Sequence, residues 1–112
     1  MAKLVKSMDP DVHFRVLRLL EEDPELTQRE LAEKLGISLG WANYCIKALI
    51  EIGHIKVGNF KKNPNKSVYL YLLTPKGFGE KAKLTKGFLR RKITEYQALK
   101  KEIESIRSSM KA

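Results

Sequence analysis

Asn43, Tyr44 and Lys47 are well suited to specific chemistry, and they lie in one short run, SLGWANYCIKALIEIG, residues 38–53. Ala42, Ile46 and Leu49 recur there at helical spacing and point inward, which leaves Leu39, Gly40, Trp41, Asn43, Tyr44 and Lys47 outward. A carboxamide on such a face can pair bidentately with adenine, and a phenol can donate to a base acceptor or to a phosphate. Leu39 suits a thymine methyl, Lys47 suits a phosphate, and Gly40 lets a nucleic-acid backbone come close. Trp41 has two readings: its ring packs against the first helices while its indole N–H meets a phosphate, or it serves core packing alone. Core packing is a weaker alternative for Asn43 and Tyr44.

The elements that must position these side chains are marked just upstream. Thr27 stands at a helix N-cap with Glu30 three residues later, a capping box in which each side chain satisfies the other residue's free N–H. Leu26 and Leu31 form the matching hydrophobic staple; Leu31, Ala32 and Leu35 mark one face, and Gly36 ends the helix. Ser38 caps the second helix and Gly53 stops it. Two short helices joined through a glycine-containing turn make a helix-turn-helix, with an ordinary αα-hairpin as the bland alternative. Thr27, Gln28 and Arg29, at the first helix's N-terminus, form a candidate phosphate contact, against simple exposed surface. Before them, Asp9 and Pro10 open a scaffolding helix striped by Val12, Val16, Leu19 and Leu20, with Phe14 and Leu17 widening the stripe. Pro24 ends it.

After Gly53 the pattern turns extended. Residues 54–60 and 67–73 read as two strands, with residues 61–66 as a polar turn between them. Lys56, Lys61, Lys62, Asn63, Asn65 and Lys66 thus decorate a basic hairpin. A helix-turn-helix followed by such a hairpin is a winged helix, whose wing can set lysines on phosphates or in the minor groove. Thr74-Pro75 restarts a helix with an uncertain, glycine-containing opening and a predicted break near residues 85–87. Farther on, Leu89, Ile93, Tyr96, Leu99, Ile103, Ile106 and Met110 form an apolar seam flanked by charges. With no later chain to cover it, the seam predicts a homodimer; folding back onto the domain is the competing view.

The fold class expected is mainly α with a small β-hairpin, α+β. Residues 1–8 are expected to be a loose N-terminus, 9–80 a winged helix-turn-helix domain and 81–112 a helical dimerisation segment. Twenty-two basic and thirteen acidic residues give a formal net charge of +9, and most of the excess falls after residue 74. That balance favours a polyanionic partner. No signal peptide and no run long enough to cross a membrane are read, so the protein is expected to be cytoplasmic. Cys45 is the single cysteine, which excludes an internal disulfide and a thiolate zinc site. It reads as a packing thiol more readily than as an oxidant sensor. His13 and His54 lie far apart in sequence and support no metal site. No phosphate-binding glycine loop and no nucleophile with a base are found; neither enzymatic activity nor a cofactor is expected.

The run LTQRELAEKLGISLGWANYCIKALIEIGHIKV, followed by YLYLLTPKG, resembles the DNA-binding core of MarR-type winged-helix transcription regulators. Leu73, Thr74, Pro75, Lys76 and Gly77 match the segment that closes the wing and opens the next helix in that family. The short chain, the WANYCIKAL helix and the single long C-terminal helix resemble a small subgroup associated with bacterial exopolysaccharide gene clusters. That resemblance implies binding to double-stranded DNA and control of polysaccharide biosynthesis genes. Larger MarR proteins carry long helices on both sides of the winged helix and often enclose a ligand pocket there. Here one short helix precedes it, which offers little support for a small-molecule effector. Two other classes compete: a winged helix binding RNA or single strands, with Tyr69 and Tyr71 as stacking platforms, and a protein-interaction adaptor.

Overall fold

The computed structural model describes residues 8–63 and 66–111, the side chains of residues 60–68 excepted. The elements in order are α1 (Pro10–Glu22), α2 (Gln28–Leu35), α3 (Leu39–Glu51), β1 (Ile55–Asn63), β2 (Lys66–Leu73) and α4 (Pro75–Lys111). The mainly helical fold with a two-stranded hairpin agrees with the class expected from the sequence.

Local chemistry sets the boundaries. Asp9 caps α1 by accepting from the Asp11 N–H at 2.7 Å, with Pro10 in the first turn, where its missing N–H costs nothing. The capping box of α2 is complete: Thr27 Oγ1 accepts from Glu30 N–H and Glu30 Oε1 from Thr27 N–H, each at 3.0 Å. Gly36 ends that helix at φ 68°, in the left-handed region where a side chain is strained. Ser38 Oγ accepts from Trp41 N–H at 3.0 Å and starts α3.

The three short helices close around Val16, Leu17, Leu20, Leu26, Leu31, Cys45, Ile46 and Leu49, with Ile55 and Leu73 sealing the base of the hairpin. Each large apolar side chain buried this way contributes on the order of 1.5–3 kcal/mol. Met8, expected to belong to the loose N-terminus, is buried in this core. Residues 1–7 lie outside the described residues.

β1 and β2 pair antiparallel from Ile55↔Leu73 through Asn59↔Tyr69 to Asn63↔Lys66, with a register irregularity between Lys61 and Asn63. The strands are therefore longer than the sequence predicts. Lys61, Lys62 and Asn63 lie on β1 and Lys66 opens β2, instead of forming a turn; cross-strand hydrogen bonding outweighs the local preference of Lys and Asn for loops.

The predicted break in α4 is absent, since the helix runs unbroken from Pro75 to Lys111. A glycine costs a helix about 1 kcal/mol, and tertiary contacts on either side offset it. Phe88 stacks on Phe14 of α1, ring centroids 4.4 Å apart. Arg91 Nε donates to Asp11 Oδ1 at 2.7 Å, and Lys81 pairs with Glu21. Beyond Lys92, every described residue of α4 is exposed. Among the described residues, no helix is long and apolar enough to cross a membrane.

Candidate nucleic-acid interface

The first turn of α3 is open to solvent. Ser38, Leu39 and Gly40 are exposed, and a Cβ built on Gly40 would meet nothing within 4 Å. Lys47 is exposed two turns farther along. Trp41, at the margin with 36% of its surface accessible, lies flat on Tyr44 with ring centroids 4.8 Å apart and planes 7° from parallel. Of the two aromatics, Tyr44 is the one that packs against the core. The sequence reading weighted core packing the other way. The two rings stand three residues apart on α3, the spacing at which helical side chains are neighbours.

Asn43 is half-buried rather than fully outward. Its Nδ2 donates to Gln28 Oε1 at 2.9 Å, and Gln28 Nε2 donates to the Tyr71 hydroxyl at 3.1 Å. Gln28, at the start of α2, is thus engaged inside the protein, and Thr27 Oγ1 is committed to its cap. Arg29 remains exposed beside them. On the hairpin, Ile55, Val57 and Asn59 share a face with Leu73, Tyr71 and Tyr69. That face runs from the core outward, so Tyr71 is half-buried and Tyr69 is 63% exposed. Of the two proposed stacking platforms, Tyr71 is therefore already engaged. Lys56 is exposed, the side chains of Lys61, Lys62, Asn63 and Lys66 fall among the undescribed ones, and Asn65 lies outside the described residues.

The Leu73–Gly77 segment is a structural latch. The Thr74 N–H donates to the His54 carbonyl at 3.0 Å and its hydroxyl to the Gly53 carbonyl, while Thr74 Oγ1 accepts from Gly77 N–H. Lys76 Nζ donates to the Ile52 carbonyl at 3.0 Å. All four bonds gather where α3 ends, fixing α3 against both hairpin and α4.

His13 and His54, remote in sequence, meet in the interior: Nε2 and Nδ1 are 3.2 Å apart, and the residues are 5% and 3% exposed. Burial, then the neighbouring His54, pushes the His13 pKa down against the pull of Glu80. Burial also lowers that of His54, which Glu80 opposes and Lys76 and Lys83 reinforce. Helical spacing carries the signal for this pair, because His13 falls on the buried stripe with Val16, Leu17 and Leu20. Among the described residues, no group of three or more His, Cys, Asp or Glu side chains could hold a metal.

Cys45 is fully buried, and desolvation pushes its thiol up to about 11. It stays protonated at neutral pH, whereas the thiolate is the form that oxidants attack. An open cleft of about 480 Å³ lies where α1, α2 and α4 meet, lined by Phe14, Phe88, Arg15, Arg18, Lys34 and Lys92 among others. The seam residues Leu89, Ile93, Tyr96, Leu99, Ile103, Ile106 and Met110 are between 41% and 81% exposed.

Residues 10–56 match a family model described as winged helix-turn-helix DNA-binding. A comparison with curated protein sequences gave no match. Among solved structures, the adhesin competence repressor AdcR of Streptococcus pyogenes superposes with a TM-score of 0.64 at 21% identity, over 80% of this chain and 65% of that one. ZitR of Lactococcus lactis, solved in complex with DNA, gives 0.60 at 27% identity over 80% and 58%. A MarR transcriptional regulator from Methanosarcina mazei Go1 gives 0.52 at 22% identity over 81% and 74%. The chain therefore spans less than two thirds of the length of these AdcR and ZitR chains. In fold, it is a winged helix-turn-helix protein with the architecture of MarR-type regulators.

Proposed function

We propose that this chain is a sequence-specific, double-stranded DNA-binding transcription regulator that acts without enzymatic chemistry. The observation that carries the proposal is the solvent-open first turn of α3, with Leu39 and Trp41 at its surface, Asn43 half-buried next to them, Lys47 exposed farther along and a lysine-bearing hairpin in the same domain. α3 enters the major groove, Asn43 reads a base, Lys47 and Arg29 meet phosphates, and the hairpin follows the backbone or minor groove. The DNA complex of ZitR supports this use of the shared fold. Net charge of +9 supplies the attraction to phosphate.

The protein works as a homodimer through the apolar seam of α4, on a roughly two-fold symmetric operator. Its half-sites lie about 10–11 base pairs apart, or a multiple of that. Its targets are exopolysaccharide biosynthesis genes, a reading supported by the resemblance of WANYCIKAL and the short chain to that subgroup. It works in the cytoplasm, where such genes are transcribed. Mapping bound sites across the host genome tests the targets directly.

The test of recognition compares three variants on a duplex selected by the protein and on a scrambled one. Asn43→Ala should cost about 1–3 kcal/mol on the selected duplex and little on the scrambled one. Lys47→Ala should weaken both by similar factors. Ile46→Ala should lower the melting temperature, because it empties core volume. Equal weakening of both duplexes by Asn43→Ala and Lys47→Ala would show that α3 is not the reader.

A further inference from the structure

Asn43 is braced from behind. The line Asn43–Gln28–Tyr71 joins α3 to the first residue of α2 and to β2 through the two hydrogen bonds of 2.9 and 3.1 Å, and all three residues are half-buried. Its far end is anchored, since Tyr71 packs against the core and its N–H donates to the Pro24 carbonyl at 3.1 Å.

A terminal carboxamide has two orientations of nearly equal shape that differ in which atom faces outward. One Nδ2 hydrogen of Asn43 goes to Gln28 Oε1. That leaves Oδ1 and the second Nδ2 hydrogen for a ligand, an acceptor beside a donor, which complements the N6 amino group and N7 of adenine. Gln28 has the same ambiguity; here its Nε2 donates to the Tyr71 hydroxyl while its Oε1 faces Asn43, the arrangement in which the hydroxyl serves as acceptor. The opposite polarity would leave Asn43 presenting donors and would suit the two acceptors of guanine.

We propose that Gln28 and Tyr71 are positioning residues that set the polarity of the Asn43 carboxamide, and with it a preference for adenine, without touching DNA themselves. This rests on the assignment of α3 as the reading helix.

The experiment uses the full chain and a duplex that the wild-type protein selects from a random pool. Single base-pair changes across that duplex identify the position whose preference disappears in Asn43→Ala. At that position, Tyr71→Phe, which keeps the ring and its packing, should lower the preference for adenine roughly two- to tenfold, the range for one hydrogen bond. Preferences elsewhere, affinity for scrambled duplex and the melting curve should hold. In an Asn43→Ala background the same change should have no further effect. Gln28→Glu, whose carboxylate can accept from both neighbours, should keep the preference while lowering overall affinity; Gln28→Leu should lose it. Tyr71→Phe acting equally in both backgrounds, or on every position alike, overturns the brace and leaves the reading helix intact. A guanine preference at the Asn43-dependent position overturns the polarity. If no position depends on Asn43, the assignment of the reading residue fails and the brace fails with it.

Discussion

Gly77 of α4 sits directly against the backbone carbonyl of His54, so closely that a Cβ atom at position 77 would overlap the carbonyl oxygen. The same oxygen accepts from the Thr74 N–H, so the opening of α4 is docked on the residue that links α3 to the hairpin. Gly77→Ala should therefore force these elements apart and cost about 1–3 kcal/mol, read as a shift in a denaturant melt. Gly79→Ala is the control. A Cβ there meets nothing within 4 Å, and removing a helical glycine should stabilise by up to about 1 kcal/mol. Equal effects at the two positions would show that the close approach is not what selects glycine at 77.

Acid should weaken the fold through the buried histidines. Both have native pKa values below the ordinary 6.5, chiefly through burial. The unfolded chain therefore takes up protons that the native state refuses. The stability carried by the neutral pair is present above pH 6.5 and is lost as pH falls through the lowered native values. Melting temperature should hold from about pH 8 to about pH 7 and drop toward about pH 5. A His13→Gln, His54→Gln variant should show a flatter profile. A variant as acid-sensitive as the wild type would place the effect elsewhere.

On the proposed reading, affinity falls steeply with salt and the hairpin lysines carry part of that slope. Each phosphate neutralised on B-form DNA adds about 0.9 to the slope of log affinity against log salt. Changing Lys61, Lys62 and Lys66 together to Ala should flatten the slope and leave base preference nearly intact. A wild-type slope in the triple variant would mean that the hairpin does not follow the DNA.

The α4 seam sets the expected oligomeric state. Leu99 and Ile103 are 55% and 41% exposed, with none of the domain core against them. Replacing both with Glu should give monomers in sedimentation and weaken binding to a two-fold site, with the domain's own melt barely changed. Wild-type protein that sediments as a monomer at micromolar concentration would sink the dimer.

What local chemistry dictates was legible in the sequence. The Thr27–Glu30 box, the Ser38 cap and the turn glycines all stand where residue types alone put them, and Leu26 and Leu31 are both buried in the core. What depends on distant partners was not. The continuity of α4 across Gly87 rests on Phe14 and Asp11, more than seventy residues earlier. Which of Trp41 and Tyr44 reaches the core depends on how α3 sits against the rest of the domain. Spacing places Gln28 at a helix start, yet only the approach of β2 turns its amide toward Tyr71.

The far half of α4 lies outside the core that holds the winged domain together. In the proposed dimer, that half gains from a second copy the apolar packing that its own domain does not give it. On the proposed pairing, a folded single copy and a paired one coexist, and the ratio between them follows how much protein the cell holds. Occupancy of a two-fold site then rises with roughly the square of that amount while single copies predominate. Synthesis and degradation of the chain would thereby act as an input in their own right, giving a threshold response that needs no bound effector.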